Sequence, residues 1–234
     1  MKLLAFETAT EACSVAVLVD GQVLERFEVA PRRHAELSLP WADQLLAEAG
    51  IARSQLDAIA LSQGPGAFTG VRLGIAIAQG IALALDRPLL PVSTLRTLAL
   101  RAPADAPRVL SSIDARMGEV YIGHYLRQGD DLVLEGSEQV LAPAGFAVAD
   151  ATAPWAAVGT GFAANDGELV RVLDGRLASV DAQALPHAAD LLLLAAAAWR
   201  RGEAIAPELV QPAYLRDNVA LTLAEQQALR DSRK

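Results

Sequence analysis

The sequence predicts an α/β fold built from two similar halves, and three observations carry that expectation. Short apolar runs bounded by turn signals alternate with helix-length apolar stretches, the pattern of sheets covered by helices. A strand, turn and hairpin signature at the N-terminus returns later, with the acidic strand ends Glu7 and Asp114 107 residues apart and the hairpin glycines Gly21 and Gly129 108 apart. A strand running into a glycine loop and then a helix, around Gly64–Gly70, is the third. The echo fits a duplication, but any two β-meanders resemble each other, so spacing alone leaves both readings open.

Leu3 to Phe6 reads as the first strand, followed by a polar turn, Thr8-Ala9-Thr10-Glu11, and a second strand carrying Val15, Val17 and Val19. Asp20-Gly21 then signals a hairpin into Val23 to Val29. A helix is expected from Ser38 to Ala49, with Leu37, Trp41, Leu45 and Ala49 at four-residue spacing and Gly50 as its stop. Ala58 to Leu61 is a strand leading through the glycine loop to a helix over Val71 to Leu85. Leu89 to Val92 is a strand, and Ser93 can cap a helix from Thr94 to about Arg101.

Two prolines in residues 102–107 mark a linker, which places a first half over residues 1–104 and a second over 105–220. There Val109 to Ile113, Glu119 to Leu126 and Leu132 to Leu134 repeat the three-strand opening. Ala157 to Gly161 is a strand into a glycine turn, Ala188 to Arg201 a helix, and residues 221–234 a charged tail.

With 234 residues, 53% of them hydrophobic, the chain can bury a sizeable core. Its net charge of −8, with no basic run, argues against a free-standing nucleic-acid binder. One cysteine, Cys13, excludes an intramolecular disulfide framework and points to a reducing compartment. The N-terminus lacks the pattern of a signal peptide. The apolar segments 75–85 and 188–199 fall short of the roughly 20 residues that cross a bilayer, so no membrane partner is expected.

The loop Gly-Pro-Gly-Ala-Phe-Thr-Gly-Val-Arg-Leu-Gly from Gly64 to Gly74 matches neither the dinucleotide nor the phosphate-loop pattern. Backbone amides at a helix start can still hold phosphate or carboxylate, and a tight packed turn explains the glycines equally well. Glu7, Glu11 and Asp114 could be paired carboxylates in a cleft between the halves; strand-end carboxylates also cap turns. The histidines His34, His124 and His187 lack ligand spacing, so no metal is expected. No nucleophile elbow occurs, and Cys13 sits in an apolar strand.

The helix over residues 71–85 is apolar nearly all round, and Ala76, Gly80 and Ala84 form a smooth ridge at four-residue spacing. Either a protein partner covers its outer face, or this chain buries it completely.

Four segments resemble the bacterial TsaB (YeaZ) family of tRNA threonylcarbamoyladenosine biosynthesis: Glu7 to Ala16, Gly64 to Arg72, Asp114 to Tyr121, and Pro212-Ala213-Tyr214-Leu215-Arg216. The glycine loop is shared with the paralogous catalytic family TsaD, whereas Asp-Ala-Arg-x-Gly-Glu-Val-Tyr is particular to TsaB. The resemblance implies the ASKHA fold of actin, hexokinase and Hsp70, and a non-catalytic scaffold without cofactor. TsaD would be its partner in a heterodimer that threonylcarbamoylates adenosine 37 of tRNAs reading ANN codons, the ATPase TsaE would dock on the pair, and tRNA would be held through the complex.

The expected docking residues are Trp41, Leu45, Arg72, Ile75, Ala76, Gln79, Gly80 and Leu83; alone, the same faces would pair two copies. TsaD-like proteins carry His-x-x-x-His on the first helix; here the register reads His34 to Ser38, a half-erased metal site. A cytoplasmic location is expected. The rival reading is an ATP-dependent phospho- or carbamoyl-transferase that holds nucleotide with Glu7, Thr8, Gly64, Gly66, Asp114, Gly159 and Gly161.

Overall fold

The computed structural model describes residues 1–129, 131–148 and 153–216. The charged tail expected over 221–234 lies outside them.

Strands β1 (Lys2–Glu7), β2 (Ala12–Val19) and β3 (Gln22–Val29) form an antiparallel meander, and β4 (Ala58–Ser62) and β5 (Leu89–Val92) extend it in parallel, in the order β3-β2-β1-β4-β5. The hairpin turn uses left-handed backbone at Asp20 and Gly21. Because β1 is covered on both faces it reads as an unbroken apolar run. Leu4 and Phe6 face helices α1 (His34–Glu48) and α2 (Phe68–Leu85), with Leu45, Ile75, Ala78 and Ala82 in the same core. Leu3 and Ala5 face the opposite side, against Leu191, Leu192 and Ala195 of helix α5 (Ala188–Arg200).

After helix α3 (Thr94–Ala99), capped by Ser93 Oγ on the Arg96 amide, the second sheet follows. Its strands are β6 (Arg108–Arg116), β7 (Glu119–Gln128), β8 (Asp131–Leu134), β9 (Gln139–Leu141), β10 (Trp155–Val158) and β11 (Leu177–Asp181). The path β8-β7-β6-β10-β11, antiparallel then parallel, repeats the first sheet strand for strand. Topology therefore supports the duplication that the spacing left open: the two sheets share one strand order and one pattern of pairing.

Three differences from the expectation have physical causes. Helix α1 starts at His34, four residues before the expected Ser38, because the Glu36 and Leu37 amides bond the Arg33 carbonyl and the His34 side chain is buried. Strands β9 and β11 and helix α4 (Ala164–Val172) were not foreseen; β11 is an exposed edge, and α4 opens with left-handed Asn165, Asp166 and Gly167. Finally, the linker does separate the sheets, but the chain then returns: α5 covers the first sheet, Ile205 bridges to Leu89, and the Ala213 amide bonds Gln63 O at 2.8 Å. The expected second half over residues 105–220 thus contributes its end to the first half.

Candidate functional site

Helix α2 has two faces. Its inner face, Val71, Gly74, Ile75, Ala78 and Ala82, is built into the core. Its outer face carries Phe68, Arg72, Ala76, Gly80 and Ala84, one residue every four and all exposed. Leu83 beside them is 65% exposed. The alternative of complete burial within this chain is thereby corrected. At 18 residues α2 is also longer than expected and apolar enough to cross a membrane by length and composition, yet its inner face belongs to the protein core.

Of the expected docking residues, Arg72, Ala76, Gly80 and Leu83 lie on this open face, and Trp41 is half-buried on α1. Gln79 is partly engaged, its Nε2 donating to Pro207 O at 2.8 Å. Leu45 and Ile75 correct the expectation: both are core residues, Leu45 because its four-residue spacing marks the inward stripe of α1 and Ile75 because it lies on the inner face of α2. Ala84, the third residue of the small-residue ridge, is exposed as that spacing expected, and Phe68 and Leu39 are exposed apolar residues of the two helices that the spacing did not pick out.

The glycine loop is filled by protein. Thr8 Oγ1 donates to Gly70 O at 2.8 Å, and the Ala67 amide, next to the loop's second glycine, donates to Ala9 O at 2.7 Å. A Cβ on Gly66 would collide with the Ala9 carbonyl, on Gly70 with the Thr8 carbonyl, and on Gly74 with Thr8 Oγ1. Gly159 and Gly161 stand in the same relation to Ser112 in the second half. These glycines admit close approach of the chain's own strand ends, and this packed turn is one of the two readings the sequence left open.

Glu7 is wholly buried, with Oε1 accepting from the Ala9 amide at 2.8 Å and from Ser62 Oγ at 3.1 Å, while Oε2 has no partner among the described residues. Burial outweighs those two hydrogen bonds and lifts its pKa to about 7. Asp114 instead accepts from the Arg116 amide and guanidinium, both at 2.7 Å. Each acid is held within its own half, and no hydrogen bond among the described residues joins Glu7, Glu11 and Asp114.

His34 Nε2 lies 3.0 Å from Thr10 O and 3.1 Å from Ala12 O, so it carries the proton and is spent on the β1–β2 turn. Ser38 Oγ donates to His34 O at 2.7 Å and lies 3.5 Å from Cys13 Sγ. Hydrogen bonding within the protein occupies both positions of the half-erased metal register. Among the described residues no group of three His, Cys, Asp or Glu side chains is placed to hold a metal ion.

Comparison with known proteins adds an independent line. The family model described as TsaD, tRNA N6-adenosine threonylcarbamoyltransferase, matches residues 27–223. The chain is 42% identical over 231 residues to the tRNA threonylcarbamoyladenosine biosynthesis protein TsaB of Escherichia coli, covering 94% of this chain and 96% of that one. Similarity to TsaB of Haemophilus influenzae is 37% over 232 residues, covering 94% and 95%. Among solved structures, YeaZ from Pseudomonas aeruginosa superposes with a TM-score of 0.85 at 50% identity, over 92% of this chain and 99% of that one.

Proposed function

Because the chain belongs to the TsaB (YeaZ) family of tRNA threonylcarbamoyladenosine biosynthesis proteins, we propose that it is the non-catalytic scaffold subunit of that modification in the cytoplasm. It binds and stabilises a TsaD-type transferase, the complex seats the ATPase TsaE, and tRNA is held through the complex. The observation that carries this reading is the open apolar face of α2, Phe68-Arg72-Ala76-Gly80-Ala84. Small residues at four-residue spacing let a second helix approach closely, and apolar surface left in water favours a protein cover. Without that partner the same face pairs two copies of the chain.

The rival transferase reading needs loops open to nucleotide. The glycine cradle filled by Thr8 and Ala9, and a Glu7 side chain that is wholly buried, weigh against it.

The test is co-purification of the tagged chain with the TsaD-type paralogue of the same cell. Gly80→Trp should abolish recovery of the paralogue while leaving the fold intact, since a Cβ at Gly80 meets nothing within 4 Å. Equal recovery with wild type and variant would remove α2 from the interface. No recovery with wild type would sink the scaffold reading.

A further inference from the structure

We propose that the β6–β7 turn, with Met117 at its tip, is a second contact for the same protein partner, so that the partner spans both halves of the chain. This rests on the scaffold reading above and names a surface that reading does not include.

Met117 is 87% exposed, the most solvent-accessible large apolar side chain among the described residues. It sits in a turn whose backbone is unfavourable for its residue types: Arg116 and Met117 are both left-handed, with φ of 64° and 57°, where hairpin turns prefer Asn and Gly. Strain of this kind persists only where surrounding contacts enforce it. Here they do. Asp114 accepts from the Arg116 amide at 2.7 Å, Arg216 Nη2 donates to Ala115 O at 3.1 Å and to Glu119, and Asn165 Nδ2 donates to Gly118 O at 3.0 Å. Arg216 Nη1 lies 3.8 Å from Met117 Sδ. A bulky apolar side chain is thus held out into water on a rigid, three-sided mount.

The mount is continuous with the open face of α2. Two residues before Arg216, Tyr214 is 54% exposed, and its ring lies 5.2 Å from the Arg72 guanidinium. That guanidinium in turn stacks 3.3 Å over Phe68, itself 62% exposed. One patch therefore runs from the N-terminal turn of α2 across Tyr214 to the second half. Aromatic, Met and Arg side chains are the residue types that anchor protein interfaces.

Charge identifies the partner's chemistry. Arg116 is matched by Asp114 and Arg216 by Glu119, whereas Arg72 has no ion pair among the described residues. The complementary surface is a protein with an apolar socket for Met117 and a carboxylate facing Arg72. Nucleic acid fits less well, since two acids lie within the patch and the chain carries −8 overall.

The chain has two methionines, Met1 and Met117, so oxidation by dilute peroxide, read by peptide mass spectrometry, reports on the tip directly. In the complex with the TsaD-type paralogue, Met117 sulfoxide should form at least tenfold more slowly than in the free chain. Met117→Glu should weaken the complex tenfold or more with an unchanged melting temperature, and Met117→Leu should retain affinity. Equal oxidation rates, in a complex that Gly80→Trp abolishes, overturn this inference alone. Protection by tRNA without the paralogue overturns it in favour of a nucleic-acid contact. If wild type forms no complex, the premise has failed and the inference falls with it.

Discussion

Thr8 and Gly70 interlock: the Thr8 hydroxyl donates to the Gly70 carbonyl at 2.8 Å, and the Thr8 carbonyl occupies the space a Cβ on Gly70 would need. The β1–β2 turn is thereby pressed against the first turn of α2. Gly70→Ala should cost about 1–3 kcal/mol through overpacking. Gly80→Ala, in the same helix but facing open space, should gain up to about 1 kcal/mol from helix propensity. Urea denaturation of the two variants should shift in opposite directions.

Glu7 makes the fold weaken as pH rises. Its folded pKa of about 7 lies above the ordinary value of 4.5, so between those values the native state holds a proton that the unfolded chain has released. Stability is therefore greatest below about 4.5, as far as this group is concerned, and falls until pH passes 7, by roughly 3 kcal/mol. Glu7→Gln should flatten that limb of the stability–pH curve, measured by denaturant titration at pH 5 and pH 8. An unchanged slope would show that the wild-type carboxyl ionises normally.

Glu25 acts in the opposite sense. Burial pushes its carboxyl up, but His187 at 3.1 Å, the Ala189 amide at 3.0 Å and Ser14 Oγ at 2.7 Å together hold it below the usual carboxylate range. The stability it contributes is present above the unfolded pKa and lost as pH falls through the folded one. With Ser14 Oγ accepting from the Ala188 amide at 3.0 Å, Glu25 caps α5 from another part of the chain. Glu25→Ala should cost about 1–2 kcal/mol at neutral pH, the range of a lost helix cap, read as a lower melting temperature.

Cys13 is buried in β2, and burial raises its thiol pKa. In the native protein it should resist iodoacetamide at pH 8 and react only as the chain unfolds. Prompt stoichiometric labelling without loss of structure would contradict its burial.

Local signals placed most elements to within a few residues. Asp20-Gly21 named the hairpin, Gly50 the end of α1, and Ser93 the cap of α3, because each depends on chemistry confined to a few neighbours. Strand β11 escaped notice because its edge position leaves four of its five residues exposed, without an inward face to pattern them. Trp41, Leu45 and Ile75 show the limit for the site. Four-residue spacing defines a face of a helix but does not say whether that face meets the chain's own sheet or water.

By itself the sequence determined the hairpin openings, the glycine positions and the family, all written in short segments whose order the fold preserves. Tertiary structure alone decided three other matters. It returned α5 to the first sheet, filled the glycine cradle with Thr8 and Ala9, and brought Tyr214, Arg72 and Met117 into one patch from three distant parts of the chain. Burial and contact depend on which surfaces the whole fold brings together, and residues tens of positions or more apart leave no local periodicity to announce their meeting.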